Sequence, residues 1–496
     1  MGYRYLHSLT EDDYGKGYNS ASNAYKTIGA GDNTLHQIGG AIGEANWMSL
    51  YGHLDYNWQN RYFAEVTVSG DASSRYGENV SKMLVYPGVN AGWLLSSEEF
   101  LQSASWINLL KVRGGWNVSG NDDITNYSNR LYYVSKRFLV NNGLVLGALK
   151  NEDIQPERMQ KLNIGVDASF LENRLNLSVD LYRSQISNLL TYSQVRSYTG
   201  MNSVLSNDGE MTNGGVEVSV AGRVMSNRHF SWDMNLSLAH NHNEVTKLET
   251  GSFQSNFGDG TILTRVGSSA GIFYGYQTAG VYSTTAEAES AGLSTMVGAV
   301  SESFQAGDVR FVDQNDDHMI NDADRVEIGN PNPALYGGLS SIMRSHGFTL
   351  QADFTFSLGN YIYNYTRSQL ESMSGYTNQT KNTLLRWRTE GDKVSYPRAT
   401  FGDSHRNNRF SDRWIEDGSY LKLKSVTLSY DFNLKTDVLT GLTVYGTCEN
   451  VFCATKYSGY DPEVCTASSN NPLCQGIDSF TTPMVRTFFI GLKVGL

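Results

Sequence analysis

The sequence predicts an all-β fold, an antiparallel transmembrane β-barrel, and three observations carry that prediction. Apolar and polar residues alternate with a period of two through most of the chain, the signature of strands with two chemically different faces. Short connections alternate with long ones, the asymmetry of turns and external loops in bacterial outer-membrane barrels. No run of about 18 apolar residues offers a helical membrane span, whereas a strand span requires only alternation. The 496 residues carry 39 Lys+Arg against 50 Asp+Glu, a net charge of −11. That balance excludes a nucleic-acid partner that would need a basic surface. Charged residues make up 18% of the chain, below the usual quarter or so of soluble domains, while Gly and Tyr are plentiful at 49 and 30.

In chain order, residues 1–43 read as an extracellular loop or a truncated leading segment. They open MGYRYLHSLTEDDYGKGY, which lacks the basic region, apolar run and cleavage site of a secretory signal. Thirteen strands follow, at about 44–57, 60–73, 83–94, 107–119, 160–173, 174–187, 214–226, 229–242, 334–345, 348–361, 420–432, 441–453 and 484–495. In NRYFAEVTVSG, Tyr62, Ala64, Val66 and Val68 share one face. In KLNIGVDASF, Leu162, Ile164, Val166, Ala168 and Phe170 do the same, opposite Asn163, Asp167 and Ser169. The last strand, FFIGLKVGL, sets Phe488, Ile490, Leu492, Val494 and Leu496 towards lipid and keeps Lys493 in a wet interior. Short connections fall near Asn60, Asn173, Asn227, His346 and Thr436. The longest connections, at 243–333, 362–419 and 454–483, read as extracellular loops. Thirteen is odd, whereas bacterial single-chain barrels have even counts and an open edge in lipid strands backbone groups at several kcal/mol each. The expected architecture is therefore a partial barrel.

Several phrases make that reading specific. They include YGHLDYNWQNRYFAEVTVSGDASSRYG at 51–77, YPGVNAGWLLSSEEF at 86–100, NGGVEVSV at 213–220 and GIFYGYQTAGVY at 271–282. GDVRFVDQNDDHMINDADRVEIGNPNP at 307–333, WIEDGSYLKLKSVTLSY at 414–430 and TKYSGYDPEV at 455–464 complete the series. In this order they resemble the carboxyl-terminal barrel portion of SusC/RagA-type TonB-linked outer-membrane transporters. The resemblance implies a barrel of about 22 strands closed by a plug. Residues 44–496 would then supply about 13 of those strands, and the plug is absent. It also implies the bacterial outer membrane as location, no enzymatic activity, and uptake of an oligosaccharide or peptide. The implied partners are a SusD-type surface lipoprotein, the TonB energy-transducing complex acting through a plug, and an upstream chain completing the barrel. Two other readings stand beside uptake: a soluble or surface-exposed β-rich adhesion protein, and a barrel remnant without transport activity.

In that family GIFYGYQTAGVY lies in an external loop lining the lumen. Phe273, Tyr274 and Tyr276 are thus expected either to contact substrate through their ring faces or to lock the loop in place. The sharpest local motif is DQNDDHMINDAD. Asp313, Asn315, Asp317, Met319, Asn321 and Asp324 stand at positions 1, 3, 5, 7, 9 and 12 of an EF-hand-like loop, with Met319 offering its carbonyl. The expected ion is Ca2+, ahead of Mg2+; the competing reading is an Asx-rich turn with no ion. His318 occupies the position that an EF-hand gives to glycine, and Asp324 is shorter than the usual Glu. His240, His242 and Glu244 share a strand face that zinc could use, although plain hydrogen bonding is the simpler account. Asp461 and Glu463 flank Pro462 and read as structural rather than as a catalytic carboxylate pair. Cys465 and Cys474 are spaced for a disulfide across a loop.

Overall fold

In the computed structural model, residues 1–24, 27–30, 35–138, 141–201, 203–432, 440–464 and 473–495 are described. The main sheet is antiparallel and has fourteen strands, paired in chain order. They are β1 (Gly2–Lys16), β2 (Gln37–Trp58), β3 (Tyr62–Ser73), β4 (Leu84–Leu94), β5 (Ile107–Asn121), β6 (Glu157–Phe170) and β7 (Leu175–Gln194). There follow β8 (Ser203–Ser226), β9 (Phe230–Lys247), β10 (Leu335–Ser345), β11 (Phe348–Leu358), β12 (Tyr420–Phe432), β13 (Gly441–Thr455) and β14 (Thr487–Gly495).

This corrects the expectation of a transmembrane barrel, partial and built of thirteen strands. The thirteen expected strands form, a fourteenth precedes them, and the sheet is open. β1 and β14 are its two ends, each bonded on one side only, and among the described residues no sheet closes on itself. The extra strand is β1, whose ladder with β2 runs from Gly2↔Tyr51 to Lys16↔Gln37. Alternation did not reveal it because Tyr3, Tyr5 and Leu9 share their parity with Glu11 and Asp13, so neither face is apolar. Long-range pairing, not its own pattern, makes it a strand.

The chain divides into two compact units. The first comprises Met1–Trp93, Arg113–Asn163 and Ser184–Met211. In it the β2–β3 hairpin turns through Gln59 and Asn60, with φ of 53° and 54°. This double left-handed turn matches the twist of the flanking strands. Along β3, Tyr62, Ala64, Val66 and Val68 are exposed while the residues between them are half-buried. Apolar groups exposed at every second position suit lipid rather than water. At the end of this hairpin Trp58, Tyr62 and Trp93 stand in contact, with centroids 5.4 and 6.1 Å apart. A cluster of exposed aromatics at strand ends is the composition of a membrane-interface girdle. The unit's small core is Tyr76, Ile124 and Ile154.

The second unit comprises Leu94–Val112, Ile164–Arg183 and Thr212–Leu496. On β14, Phe488, Ile490, Leu492 and Val494 are all exposed, repeating the outward apolar face; Leu496 lies outside the described residues. The β10–β11 turn uses His346 and Gly347, both at positive φ, whereas the connection expected near Thr436 lies outside the described residues. The unit's two larger cores lie away from the main sheet, in the long connections. One gathers Ile262, Phe273, Tyr363, Phe410, Trp414, Cys474 and Ile477. The other gathers Tyr276, Tyr282, Ala288, Phe304, Val309, Phe311 and Ile320, next to a short helix α1 (Thr285–Ala291). Among the described residues, no helix is long and apolar enough to cross a membrane.

Candidate functional site

The GIFYGYQ segment folds as a short strand, Ile272–Tyr276, paired antiparallel on either side with Gly260–Arg265 and Arg325–Gly329. Gly275 is small because a Cβ there would sit 2.5 Å from the Phe410 carbonyl oxygen and 2.8 Å from Ile328 Cδ1. That close approach lets the Tyr276 N–H donate to the Phe410 carbonyl at 3.0 Å. Phe273 is fully buried, with its ring edge-on to Tyr363 and Phe410. Tyr274 and Tyr276 instead line a cavity of about 330 Å³. Of the three aromatic candidates, Phe273 and Tyr276 are thus core residues, Tyr276 also bordering the cavity, and Tyr274 is the half-buried one on its wall.

Arginines and aspartates share that cavity wall: Arg325, Arg406 and Arg409 with Asp259, Asp322 and Asp403. Arg325 pairs with Asp322 at 2.7 Å and lies over the Tyr276 ring. Asp403 accepts the backbone N–H groups of Asn407 and Asn408 at 2.7 and 2.9 Å. Burial nevertheless raises its carboxyl above the ordinary range. In the sequence, RNNRFSDRW at 406–414 mixes aromatics with both charges. Nothing in its spacing assigned Arg406 or Arg409 to the wall that holds Tyr274 and Tyr276.

The DQNDDHMINDAD loop is tightly hydrogen-bonded. Asp313 Oδ1 accepts the Asn315 N–H at 3.3 Å and its Oδ2 accepts the His318 N–H at 2.8 Å. Asn315 Oδ1 accepts the Asp317 N–H, and its Nδ2 donates to Asp317 Oδ2 at 3.0 Å. Asp317 Oδ1 accepts the Met319 N–H at 2.8 Å, and Asn321 Nδ2 donates to the Met319 carbonyl at 3.1 Å. Asp324 is fully buried and accepts from the N–H groups of Gln314 and Asn321 at 2.9 and 2.7 Å. Burial on its own would raise the Asp313 carboxyl, but backbone N–H donors led by His318 outweigh it and hold the group below its usual range. His318 adopts φ of 62°, the left-handed conformation an EF-hand normally reserves for glycine. Among the described residues, no three His, Cys, Asp or Glu side chains are gathered as a metal-holding group.

Of the remaining candidates, His240 Nδ1 hydrogen-bonds to the Ala334 carbonyl at 2.5 Å. Asp461 and Glu463 both receive the buried Lys422 ammonium, at 2.9 and 2.7 Å. Cys474 is buried and has no disulfide partner among the described residues, while Cys465, and with it the Cys465–Cys474 bridge, lies outside them.

Residues 1–334 match the family model described as TonB dependent receptor-like, beta-barrel. Among curated proteins, TonB-dependent receptor P3 of Formosa agariphila is 30% identical over 514 residues, covering 99% of this chain and 50% of the relative. TonB-dependent receptor SusC of Bacteroides thetaiotaomicron is 28% identical over 484 residues, covering 90% of this chain and 43% of the relative. The chain spans about half the length of the curated relatives it matches. Among solved structures, the RagAB peptide transporter superposes with a TM-score of 0.80 at 21% identity, covering 99% of this chain and 52% of that one. The open-open state of the RagAB peptide importer superposes at 0.76, also at 21% identity and with coverages of 100% and 52%. At that identity the superpositions speak for the fold.

Proposed function

The chain belongs to the TonB-dependent receptor-like β-barrel family and is homologous to its SusC/RagA-type outer-membrane members, and from that premise we propose that it works in TonB-dependent nutrient uptake across the bacterial outer membrane. The cargo is an oligosaccharide or a peptide, the two classes that the resemblance implies, and the structurally similar RagAB is a peptide transporter. The observation that carries the reading is the sheet itself: strands with apolar residues exposed at every second position, feeding long connections that fold around a cavity. Among the described residues β1 and β14 each present a row of backbone groups without a strand partner. Such edges favour pairing with further strands, which supports an upstream chain that pairs with β1 and brings the plug through which the TonB complex acts. A SusD-type lipoprotein would deliver cargo to the long connections.

Uptake and location are tested together. Cells lacking the gene, complemented with it and any upstream chain, should import fluorescent maltoheptaose or a fluorescent heptapeptide, and a protonophore should abolish the import. Binding without energy-dependent import would overturn the uptake reading. The chain should also stay with the outer membrane through a high-salt wash; release into the wash would favour the adhesion alternative.

We also propose that the 313–324 loop takes a hard cation, Ca2+ ahead of Mg2+. The support is a ligand order of oxygens at the EF-hand spacing, together with the left-handed His318. A carboxylate that accepts an N–H keeps lone pairs for an ion. Isothermal titration of the detergent-solubilised chain should show saturable Ca2+ binding that an Asp313→Ala, Asp317→Ala double variant loses. Equal heats in both proteins would remove the site, and tighter Mg2+ binding would replace the ion assignment.

A further inference from the structure

Two guanidinium groups on the wall of the Tyr274–Tyr276 cavity have no carboxylate within ion-pair distance among the described residues. Arg409 is part-buried and lies over Phe311, Tyr276 and Phe304, at 5.1, 5.3 and 6.0 Å from the ring centroids. Its hydrogen bonds go to neutral oxygens, the Ile320 carbonyl at 3.5 Å and Thr295 Oγ1. Arg406, three residues earlier, is exposed at the same cavity and makes no side-chain hydrogen bond or ion pair among the described residues. The carboxylates nearby are largely committed. Asp322 holds Arg325, and Asp403 is occupied by two backbone N–H groups; Asp259 is exposed on the same wall. Burial first, and then the like charge of Arg406, push the Arg409 guanidinium down to about 10, against the opposing pull of Tyr276, Asp403 and Asp324. Two cations facing one concavity without an ion-paired carboxylate among the described residues carry a cost that an incoming anion relieves. Asn408 Oδ1, buried without a partner on the same wall, accepts only from a donor such as a cargo hydroxyl or N–H, since its Nδ2 already donates to the Ser372 carbonyl at 2.6 Å. Half-buried Tyr274 supplies an aromatic face beside it, whereas Tyr276 is buried, with Arg325 and Arg409 over its ring.

We propose that this cavity binds an anionic group of the cargo, a carboxylate, sulfate or phosphate, against Arg406 and Arg409, with the adjoining sugar ring or peptide unit laid on Tyr274. The proposal rests on the uptake reading and gives its cargo a charge. The cavity volume of about 330 Å³ suits one terminal residue of an oligomer rather than a whole chain.

Titration calorimetry on the detergent-solubilised full chain tests it with matched probes. Trigalacturonate is compared with maltotriose, and triglutamate with N-acetyl-trialanine amide. At least one anionic probe should bind tenfold or more tighter than its neutral match, and raising the salt should weaken it. The arm that shows the preference identifies sugar or peptide as the source; a preference in both arms supports recognition of the anion itself. Arg406→Gln should weaken the anionic probe fivefold or more, leaving the neutral probe and the melting temperature unchanged. Arg409→Gln should also weaken the anionic probe but lower the melting temperature, since its guanidinium packs over three rings, and Arg406→Gln keeps the test decisive if Arg409 proves necessary for folding. Equal affinities for charged and neutral probes, no binding of either anionic probe, or an Arg406→Gln protein with undiminished preference would overturn the proposal. Failure of energy-dependent import with the anion preference intact would instead bring down the uptake reading alone.

Discussion

Arg367→Ala is expected to destabilise the second unit by about 3–5 kcal/mol, the usual cost of stripping a buried ion pair of one partner. Arg367 lies on a short helix α2 (Tyr365–Leu370). Its Nε donates to Glu371 Oε2 and its Nη1 to Glu416 Oε1, both at 2.9 Å. Glu371 is 1% exposed and Glu416 12%, so neither carboxylate has water to fall back on. The guanidinium also covers Trp414 from 5.7 Å, while Arg413 covers the same ring at 4.8 Å. Trp414 is itself fully buried in the main loop core. Thermal unfolding of the solubilised protein should show the loss, and a cycle with Glu416→Gln should assign over half of it to the pair. A coupling below about 0.5 kcal/mol would sink the idea that the pair, rather than packing over Trp414, holds the loops.

Acid should act through the same group. Burial would raise the Glu416 carboxyl, but the Ser458 N–H and the Arg367 guanidinium outweigh it and hold the group below its ordinary value. A depressed carboxylate contributes stability that is present above the unfolded value of about 4.3 and is lost as pH falls through the folded one. Wild type should therefore weaken below about pH 4.3, and Arg367→Ala should show a smaller acid loss.

Lys422→Met is expected to cost a similar 3–5 kcal/mol or so, for the reason that two carboxylates lose their cation at once. Lys422 on β12 is 4% exposed at its side chain and bonds Asp461 and Glu463. Tyr420 Oη donates to Glu463 Oε1 at 3.0 Å, so the strand grips the 455–464 segment at two points. Because the segment is tied down mainly by its acids, the damage should be local. Hydrogen exchange should rise across 457–464 while the β12–β13 ladder stays protected. The triple variant that adds Asp461→Asn and Glu463→Gln should recover much of the loss. Uniform loss of protection along β12 would show that Lys422 supports the strand itself.

How much of this was legible beforehand follows from the range of each interaction. The alternation of Tyr62, Ala64, Val66 and Val68 is a local property of a two-faced strand, and it located thirteen strands whose pairings the structure contains. Gly275 between two tyrosines could be read as a mark of close approach, though not as an approach to Phe410, which is 135 positions away. β1 could not be read at all, since mixed tyrosine and acid on both parities leave no period, and only its ladder with β2 makes it a strand. The partial barrel of thirteen strands expected from the odd count gives way to an open sheet of fourteen for a related reason: which strands pair, and whether the first and last meet, no local pattern encodes.

Strand positions, exposed apolar parity, the loop-bearing connections and the family resemblance are thus properties of the chain as written, because backbone alternation and turn chemistry act over a few residues. Tertiary structure alone decided that Phe273 turns inward while Tyr274 and Tyr276 border a cavity, and that Arg406 and Arg409 line it without an ion-paired carboxylate among the described residues. It also decided that Arg367 finds Glu416 49 residues away and Lys422 finds Asp461 39 away. A charge in sequence carries no information about its counter-charge until burial removes the water that would otherwise serve as well.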